Sequence, residues 1–168
     1  LGTKAGVYTV IASSAGLAGS PQTFSATAQP GAPALVSLPS GNTVAGQVAT
    51  TLSQPFIAIV TDAYGNPVGG VAVRYALTSI PLGAIGQTPR DTIVTTDEFG
   101  AAQLSFTPGT KAGEYVMAVS LGSQLEEVIT IKAASGPIAK LSISGGTSQS
   151  GVVGTALAQP FTVAVVDA

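Results

Sequence analysis

The chain has 168 residues, of which 45% are hydrophobic and only 8% are charged, with a net charge of −2. That apolar content is enough for a packed core, whereas six scattered basic residues make nucleic acid an unexpected partner. Histidine and cysteine do not occur, which excludes imidazole catalysis, thiol catalysis and disulfide bonds.

No targeting signal assigns the chain to a further class of protein. No apolar run approaches the roughly 18 to 20 residues of a transmembrane helix, so no membrane span is expected in this segment. No secretory signal peptide opens the sequence. A lack of cysteine fits the cytosol as well as bacterial surface proteins without disulfides, and so assigns no compartment.

Apolar residues alternate with a period of two, which predicts half-buried strands. One face of residues 71–78 and one face of residues 102–107 are predicted to point inward; the inward residues are Val71, Val73, Tyr75, Leu77, Ala102, Leu104 and Phe106. Further strands are predicted, in chain order, at residues 34–38, 56–61, 92–95, 114–120 and 127–132. Helical spacing is not found, so the fold is predicted to be all-β.

Two turns between these strands share one chemistry. Asp62 and Gly65 stand at the first and fourth positions of one turn, and Asp97 and Gly100 stand at the same positions of the other. Aspartate at the first position accepts hydrogen bonds from nearby backbone N–H groups, and glycine tolerates positive φ, which is typical of type I turns. Each turn is predicted to close a hairpin or a corner between two sheets.

A tyrosine follows a glycine-containing corner at the start of a late strand. About seven strands in about 105 residues fit an immunoglobulin-like β-sandwich of two sheets. Such sandwiches often carry a tyrosine at this place whose hydroxyl ties down the corner, and Tyr115 is predicted to do so. Tyr8 occupies the same place in the first segment, which supports a structural role for both.

The sequence repeats itself with a period of about 105 residues. Residues 2–8 return as residues 109–115, and residues 52–63 return as residues 157–168; a deletion of two residues in the tail of the central unit reconciles the two offsets. So long a period indicates self-standing domains in tandem. We expect the C-terminal part of a preceding repeat at 1–31, a complete repeat at 32–136 and the N-terminal part of a following repeat at 137–168.

Four motifs follow one another in the central unit. They are Gln54-Pro55-Phe56 before an apolar strand, the Asp62 turn continuing to Val68, the segment Thr95-Thr96-Asp97-Glu98-Phe99-Gly100, and residues 109–115. In this order they resemble the bacterial immunoglobulin-like (Big) repeat of the invasin and intimin type. The resemblance spans all three units and implies tandem stalk domains in extracellular proteins of the bacterial surface. It implies no ligand site, because the receptor-binding surface of that family usually belongs to a separate distal module.

Several polar groups were candidates for chemistry, and a structural role is favoured for each. Asp62 and Asn66 are weak candidates for calcium, because about six to eight oxygen ligands are needed and the loop lacks the acidic ladder of an EF-hand. The pairs Asp97-Glu98 and Glu126-Glu127 are interpreted as solvated surface charge. No catalytic residue, cofactor or metal is predicted, and an enzyme is the least favoured class.

Three functions remain open at this stage. The favoured one is a non-catalytic stalk or spacer of a bacterial surface adhesin or fibre, in which short proline-containing linkers at residues 28–33 and 134–137 limit bending between neighbouring repeats. The second is a subunit of an extracellular filament, in which identical chains meet laterally or by strand addition. The third is a module that binds glycan or host protein.

Overall fold

The computed structural model describes residues 2–122 and 125–167, and every regular element in those ranges is a β-strand. No helix long and apolar enough to cross a membrane occurs in these ranges. The strands are β1 (Gly6–Ala12), β2 (Gln22–Ala28), β3 (Leu35–Ser37), β4 (Thr43–Gln47), β5 (Phe56–Thr61), β6 (Ala72–Ser79), β7 (Asp91–Thr95), β8 (Ala101–Leu104), β9 (Gly113–Leu121), β10 (Leu125–Ala134), β11 (Ile138–Gly145) and β12 (Thr162–Asp167).

Strands β3 to β10 form a sandwich of two sheets. One sheet has the order β3-β5-β8, and the other has the order β4-β10-β9-β6-β7. All pairs are antiparallel except β4 with β10, which are parallel. Successive strands change sheets repeatedly, as in immunoglobulin-like domains, and the predicted fold class is confirmed.

The core lies between the two sheets and follows the predicted alternation. Along β5 the side chains of Phe56, Ala58 and Val60 are buried, while the residues between them are half-buried. The ring centroids of Phe56 and Phe106 lie 6.0 Å apart, and Phe106 meets the ring of Tyr115 edge to face at 6.3 Å. These aromatic contacts add specific geometry to the hydrophobic burial that stabilises the sandwich.

Tyr75 and Tyr115 are the largest of the fully buried side chains among the described residues. The Tyr75 ring lies on β6. The hydroxyl of Tyr75 donates a 2.8 Å hydrogen bond to the carbonyl oxygen of Ala102, and so links the two sheets through the core. Burial raises the pKa of Tyr75 to about 12, since the charged phenolate is poorly solvated there.

The central sandwich has eight strands in its described residues, one more than the sequence pattern predicted. The additional strand is β4, which contains Gly46 and only one large apolar residue, Val44. It is a strand because its backbone pairs with β10, from Thr43 beside Thr130 to Gln47 beside Ala134. The predicted strand at residues 102–107 is shorter than expected, since β8 ends at Leu104.

The flanking units each contribute one antiparallel hairpin. Strand β1 pairs with β2, and β11 pairs with β12. In the repeat alignment the first hairpin corresponds to β9 and β10, and the second to β3 and β5. Each hairpin therefore repeats a pair of strands that are hydrogen-bonded neighbours in the central sandwich.

Candidate functional site

The turn that starts at Asp62 carries the chain from β5 in one sheet to β6 in the other. The backbone N–H of Gly65 donates to the carbonyl of Asp62 at 3.0 Å, and Gly65 has a φ of 77°. One carboxylate oxygen of Asp62, Oδ1, accepts the backbone N–H groups of Tyr64 and Asn66, both at 2.9 Å. The turn is thus a corner between sheets, held by its first side chain.

The second carboxylate oxygen of Asp62 reaches outside the turn. It accepts the side-chain amide of Asn66 at 2.8 Å and the backbone N–H of Gly31, in the linker, at 2.9 Å. Asp62 is only 4% exposed. The bond from the Asn66 side chain, followed by that from Gly31, holds the pKa of the Asp62 carboxyl well below its usual range, because N–H donors favour the charged form.

Asn66 connects the same turn to the preceding unit. Its side-chain Nδ2 donates to the carbonyl of Thr3 at 2.8 Å, and its Oδ1 accepts the backbone N–H of Ala5 at 3.0 Å. Lys4, between them, donates from Nζ to the carbonyl of Tyr64 at 3.2 Å. The corner before β1 and the turn after β5 therefore meet through three hydrogen bonds. Two of them are made by Asn66, which is only 6% exposed.

The linker bond is repeated at the other end of the central unit. The backbone N–H of Gly136 donates to Oδ2 of Asp167 at 2.9 Å, across the same separation of 31 residues as Gly31 and Asp62. A junction of the same design thus precedes and follows the central sandwich.

The second aspartate turn repeats the chemistry of the first without reaching another unit. Oδ1 of Asp97 accepts the N–H groups of Phe99 and Ala101, both at 2.9 Å, and the N–H of Gly100 donates to the carbonyl of Asp97 at 3.0 Å. This turn carries the chain from β7 back to the sheet that contains β8. It is also a corner between sheets.

The two corner tyrosines make the same hydrogen bond. The hydroxyl of Tyr115 donates to the carbonyl of Lys111, and the hydroxyl of Tyr8 donates to the carbonyl of Lys4, each at 2.7 Å. Tyr115 is fully buried, whereas Tyr8 is half-buried. Each ring spans the corner that lies four residues before it in the sequence.

The arrangement of Asp62 and Asn66 differs from that of a calcium site. Both oxygens of the carboxylate accept N–H groups, and Asn66 turns its amide nitrogen toward Asp62. A calcium site needs oxygen atoms converging on one point, whereas here donors converge on one carboxylate. Within residues 2–122 and 125–167, no group of three or more acidic side chains is placed to hold a metal ion.

The acidic side chains of the two pairs are exposed wherever the structure describes them. Asp97 and Glu98 are exposed in their turn, and Glu127 is exposed on β10; the side chain of Glu126 lies outside the described residues. The carboxylate of Asp91 instead forms a bidentate pair with Arg74 across β6 and β7, at 2.9 and 2.6 Å. That ion pair is exposed on both sides, so it adds little stability.

Two structural residues, one at a junction and one inside the central unit, were missed by sequence reasoning. Gly31 had a detectable signal, because Gly136 occupies its place one period later. Thr96 had no sequence signal beyond its position before Asp97. It is nevertheless 4% exposed, and its hydroxyl donates to the carbonyl of Val68 while accepting the N–H of Val71. It ties the start of β6 to the end of β7.

Comparison with known proteins finds similar chains among bacterial adhesins. No protein-family model matches the chain. It is 35% identical over 131 residues to the inverse autotransporter adhesin YeeJ of Escherichia coli strain K12; the match covers 77% of the chain but 5% of YeeJ. The chain thus spans a small part of that protein.

Two solved structures are similar in architecture. The Escherichia coli adhesin FdeC aligns with a TM-score of 0.52 and 18% identity, over 76% of this chain and 42% of the FdeC chain. Invasin, a bacterial integrin-binding protein, aligns with a TM-score of 0.44 and 22% identity, over 59% of this chain and 20% of its own. The FdeC alignment supports the fold assignment.

Proposed function

The chain consists of bacterial immunoglobulin-like repeats of the invasin and intimin type, and from this premise we propose that it is a non-catalytic spacer in the stalk of a surface adhesin. Its repeats lie outside the cell, and their mechanical task is to hold a distal binding module away from the bacterial surface. The units are a C-terminal part at residues 1–31, a complete repeat at 32–136 and an N-terminal part at 137–168.

The observation that carries the proposal is the repeated junction. Gly31 with Asp62, and Gly136 with Asp167, form the same 2.9 Å bond between a linker and an aspartate at the end of a strand of the next unit, β5 or β12. A linker that is bonded to the domain it enters cannot swing freely about its backbone dihedrals. The stalk interpretation needs such restraint, because freely jointed domains would coil instead of extending.

Three of the four polar side chains that are buried in the described residues also favour a structural task. Asp62, Asn66 and Thr96 are buried, and their side chains form hydrogen bonds with backbone groups or with one another. A catalytic acid, base or nucleophile needs free access to a substrate atom. These side chains hold loops in place, which supports a non-enzymatic role.

Electron microscopy of the full-length protein on the cell surface tests the proposal. We expect single beaded rods, with a bead spacing of one sandwich length. Ordered lateral bundles or helical filaments would contradict the spacer and favour the self-assembling alternative. Retention of host-cell or glycan binding by the isolated repeats, without a distal module, would favour the binding-module alternative.

A further inference from the structure

We propose that Asn66 is a recognition site for the preceding repeat, and that it fixes the angle between consecutive repeats by binding the peptide corner at residues 3–5. This inference rests on the proposed stalk and goes further, because it names the residue and the partner surface that make the stalk stiff. The partner is a second copy of the repeat, presented by its tyrosine-held corner.

The carboxamide of Asn66 matches the backbone of the corner at two points. It donates to the carbonyl of Thr3 at 2.8 Å and accepts the N–H of Ala5 at 3.0 Å. Two hydrogen bonds in opposite directions from one planar group fix both position and orientation, which one bond does not. The asparagine is itself oriented by the 2.8 Å bond from its Nδ2 to Asp62, so the recognising group is preorganised.

The corner is preorganised as well. The hydroxyl of Tyr8 holds the carbonyl of Lys4 at 2.7 Å, between the two residues that Asn66 binds. Gly6, which ends the corner, has a φ of 141°, where a side chain is disfavoured. The tyrosine that stabilises the inside of one repeat thus also shapes the surface offered to the next.

The same corner exists at the other end of the central unit. Residues 109–113 repeat the sequence of residues 2–6, the hydroxyl of Tyr115 holds the carbonyl of Lys111 at 2.7 Å, and Gly113 has a φ of 138°. The following unit supplies Asp167, already bonded to Gly136. By the repeat, we expect the corner at residues 110–112 to face the following unit as residues 3–5 face the central one.

The length difference between the units leaves this geometry intact. The connection between β1 and β2 runs from residue 13 to residue 21, whereas β9 and β10 are longer strands with a shorter connection. The two missing residues are therefore at the hairpin tip. The corner lies at the opposite end of that hairpin, so the length difference falls away from the junction.

Spin-label distance measurements test the recognition site in the full-length protein, with Thr9→Cys and Gln103→Cys as its sole cysteines. Both positions are exposed, on β1 and β8 respectively. We expect a narrow distance distribution, broadened at least about twofold by Asn66→Ala, because domains without a specific interface move relative to one another. The matched control Asn42→Ala removes an exposed asparagine away from the junction and should leave the width unchanged.

The central unit's urea midpoint is measured alongside, to show that it remains folded. Should Asn66→Ala unfold it, Ala5→Pro removes the N–H donor from the preceding repeat instead, and is expected to broaden the distribution by a similar factor. Equal widths for the parent and for the folded variant would overturn the recognition site while leaving a rod-shaped stalk intact. Broadening in a protein that microscopy shows as lateral filaments would instead support the recognition site and reject the spacer function.

Discussion

Gly65 and Gly100 hold nearly the same left-handed φ, 77° and 73°, in different surroundings. A Cβ on Gly65 would meet no atom within 4 Å, whereas one on Gly100 would lie 2.5 Å from the carbonyl oxygen of Val60. We expect Gly65→Ala to lower the free energy of unfolding by about 1 to 2 kcal/mol through φ alone. Gly100→Ala should lower the free energy of unfolding by roughly 1 to 3 kcal/mol more than Gly65→Ala does, because the neighbouring backbone must shift. Urea denaturation measures both, and equal losses would contradict the steric argument.

The corner tyrosine gives a second prediction at the scale of one residue. Tyr115→Phe keeps the buried ring and removes the 2.7 Å hydrogen bond to the carbonyl of Lys111. We expect a loss of about 1 kcal/mol in the free energy of unfolding, the usual net value of one such bond. Tyr64→Phe is the control, since that ring is 62% exposed. A similar loss in both variants, measured by thermal or urea unfolding, would argue against a role for the corner bond.

At the scale of elements, Thr96 adds side-chain hydrogen bonds just beyond the last pair of β6 and β7, Ala72 with Thr95. Its hydroxyl serves the carbonyl of Val68 and the N–H of Val71 at 2.8 and 2.9 Å. Thr96→Val retains the shape but leaves both backbone groups without this partner, so we expect a loss of about 1 to 3 kcal/mol. Thr95→Val changes the adjacent, exposed position of β7 and should change stability by less than about 0.5 kcal/mol. Chemical denaturation of the two variants shows whether the buried, hydrogen-bonded hydroxyl of Thr96 contributes to the free energy of unfolding.

The Asp62 turn makes the stability of the junction depend on pH. The pKa of the Asp62 carboxyl in the folded protein lies below the ordinary value of 3.8. As pH falls, this carboxyl is therefore protonated in the unfolded chain before it is protonated in the folded one. The stabilisation is therefore complete above about pH 5 and declines below it, toward the folded-state pKa. We expect Asp62→Asn to be less stable at pH 7 and to lose less stability than the parent between pH 4 and pH 2.5.

Asp97→Asn is the matched comparison for that pH experiment. Asp97 caps a turn of the same form but is exposed and bonds no other unit. The urea midpoint of each protein is measured at several values of pH. If Asp97→Asn flattens the acid limb of the stability profile and Asp62→Asn does not, the assignment of the acid sensitivity to the junction is wrong.

The elements that were predictable from sequence are those whose own side chains determine them. The alternation along residues 71–78 marks β6, and the aspartate and glycine spacing marks both corners, because local chemistry suffices there. Strand β4 exists through its pairing with β10, which no pattern within residues 43–47 records. The contacts of Asn66 with the preceding unit span 61 and 63 residues, so they too depend on the tertiary arrangement.

At the scale of the whole molecule, equivalent positions of the repeat have different surroundings. Phe56 is 2% exposed in the central sandwich, whereas its counterpart Phe161 is 73% exposed. Ile129 is 1% exposed, and its counterpart Phe24 is 61% exposed. The flanking hairpins thus present to solvent the faces that the complete sandwich covers with its second sheet. This is consistent with the proposal that each flanking segment is part of a larger repeat.

A hydrophobic dye tests whether those faces are covered in complete repeats. We expect this 168-residue chain to bind 8-anilinonaphthalene sulfonate with a clear rise in fluorescence, because apolar faces on both hairpins are open. A chain extended by the natural sequence until both flanking sandwiches are complete should lose most of that signal. Phe161→Ser should lower the signal of the shorter chain without changing the urea midpoint of the central unit, whose core it does not join. If extension leaves the fluorescence unchanged, the hairpin faces are covered by something other than the rest of their own repeats.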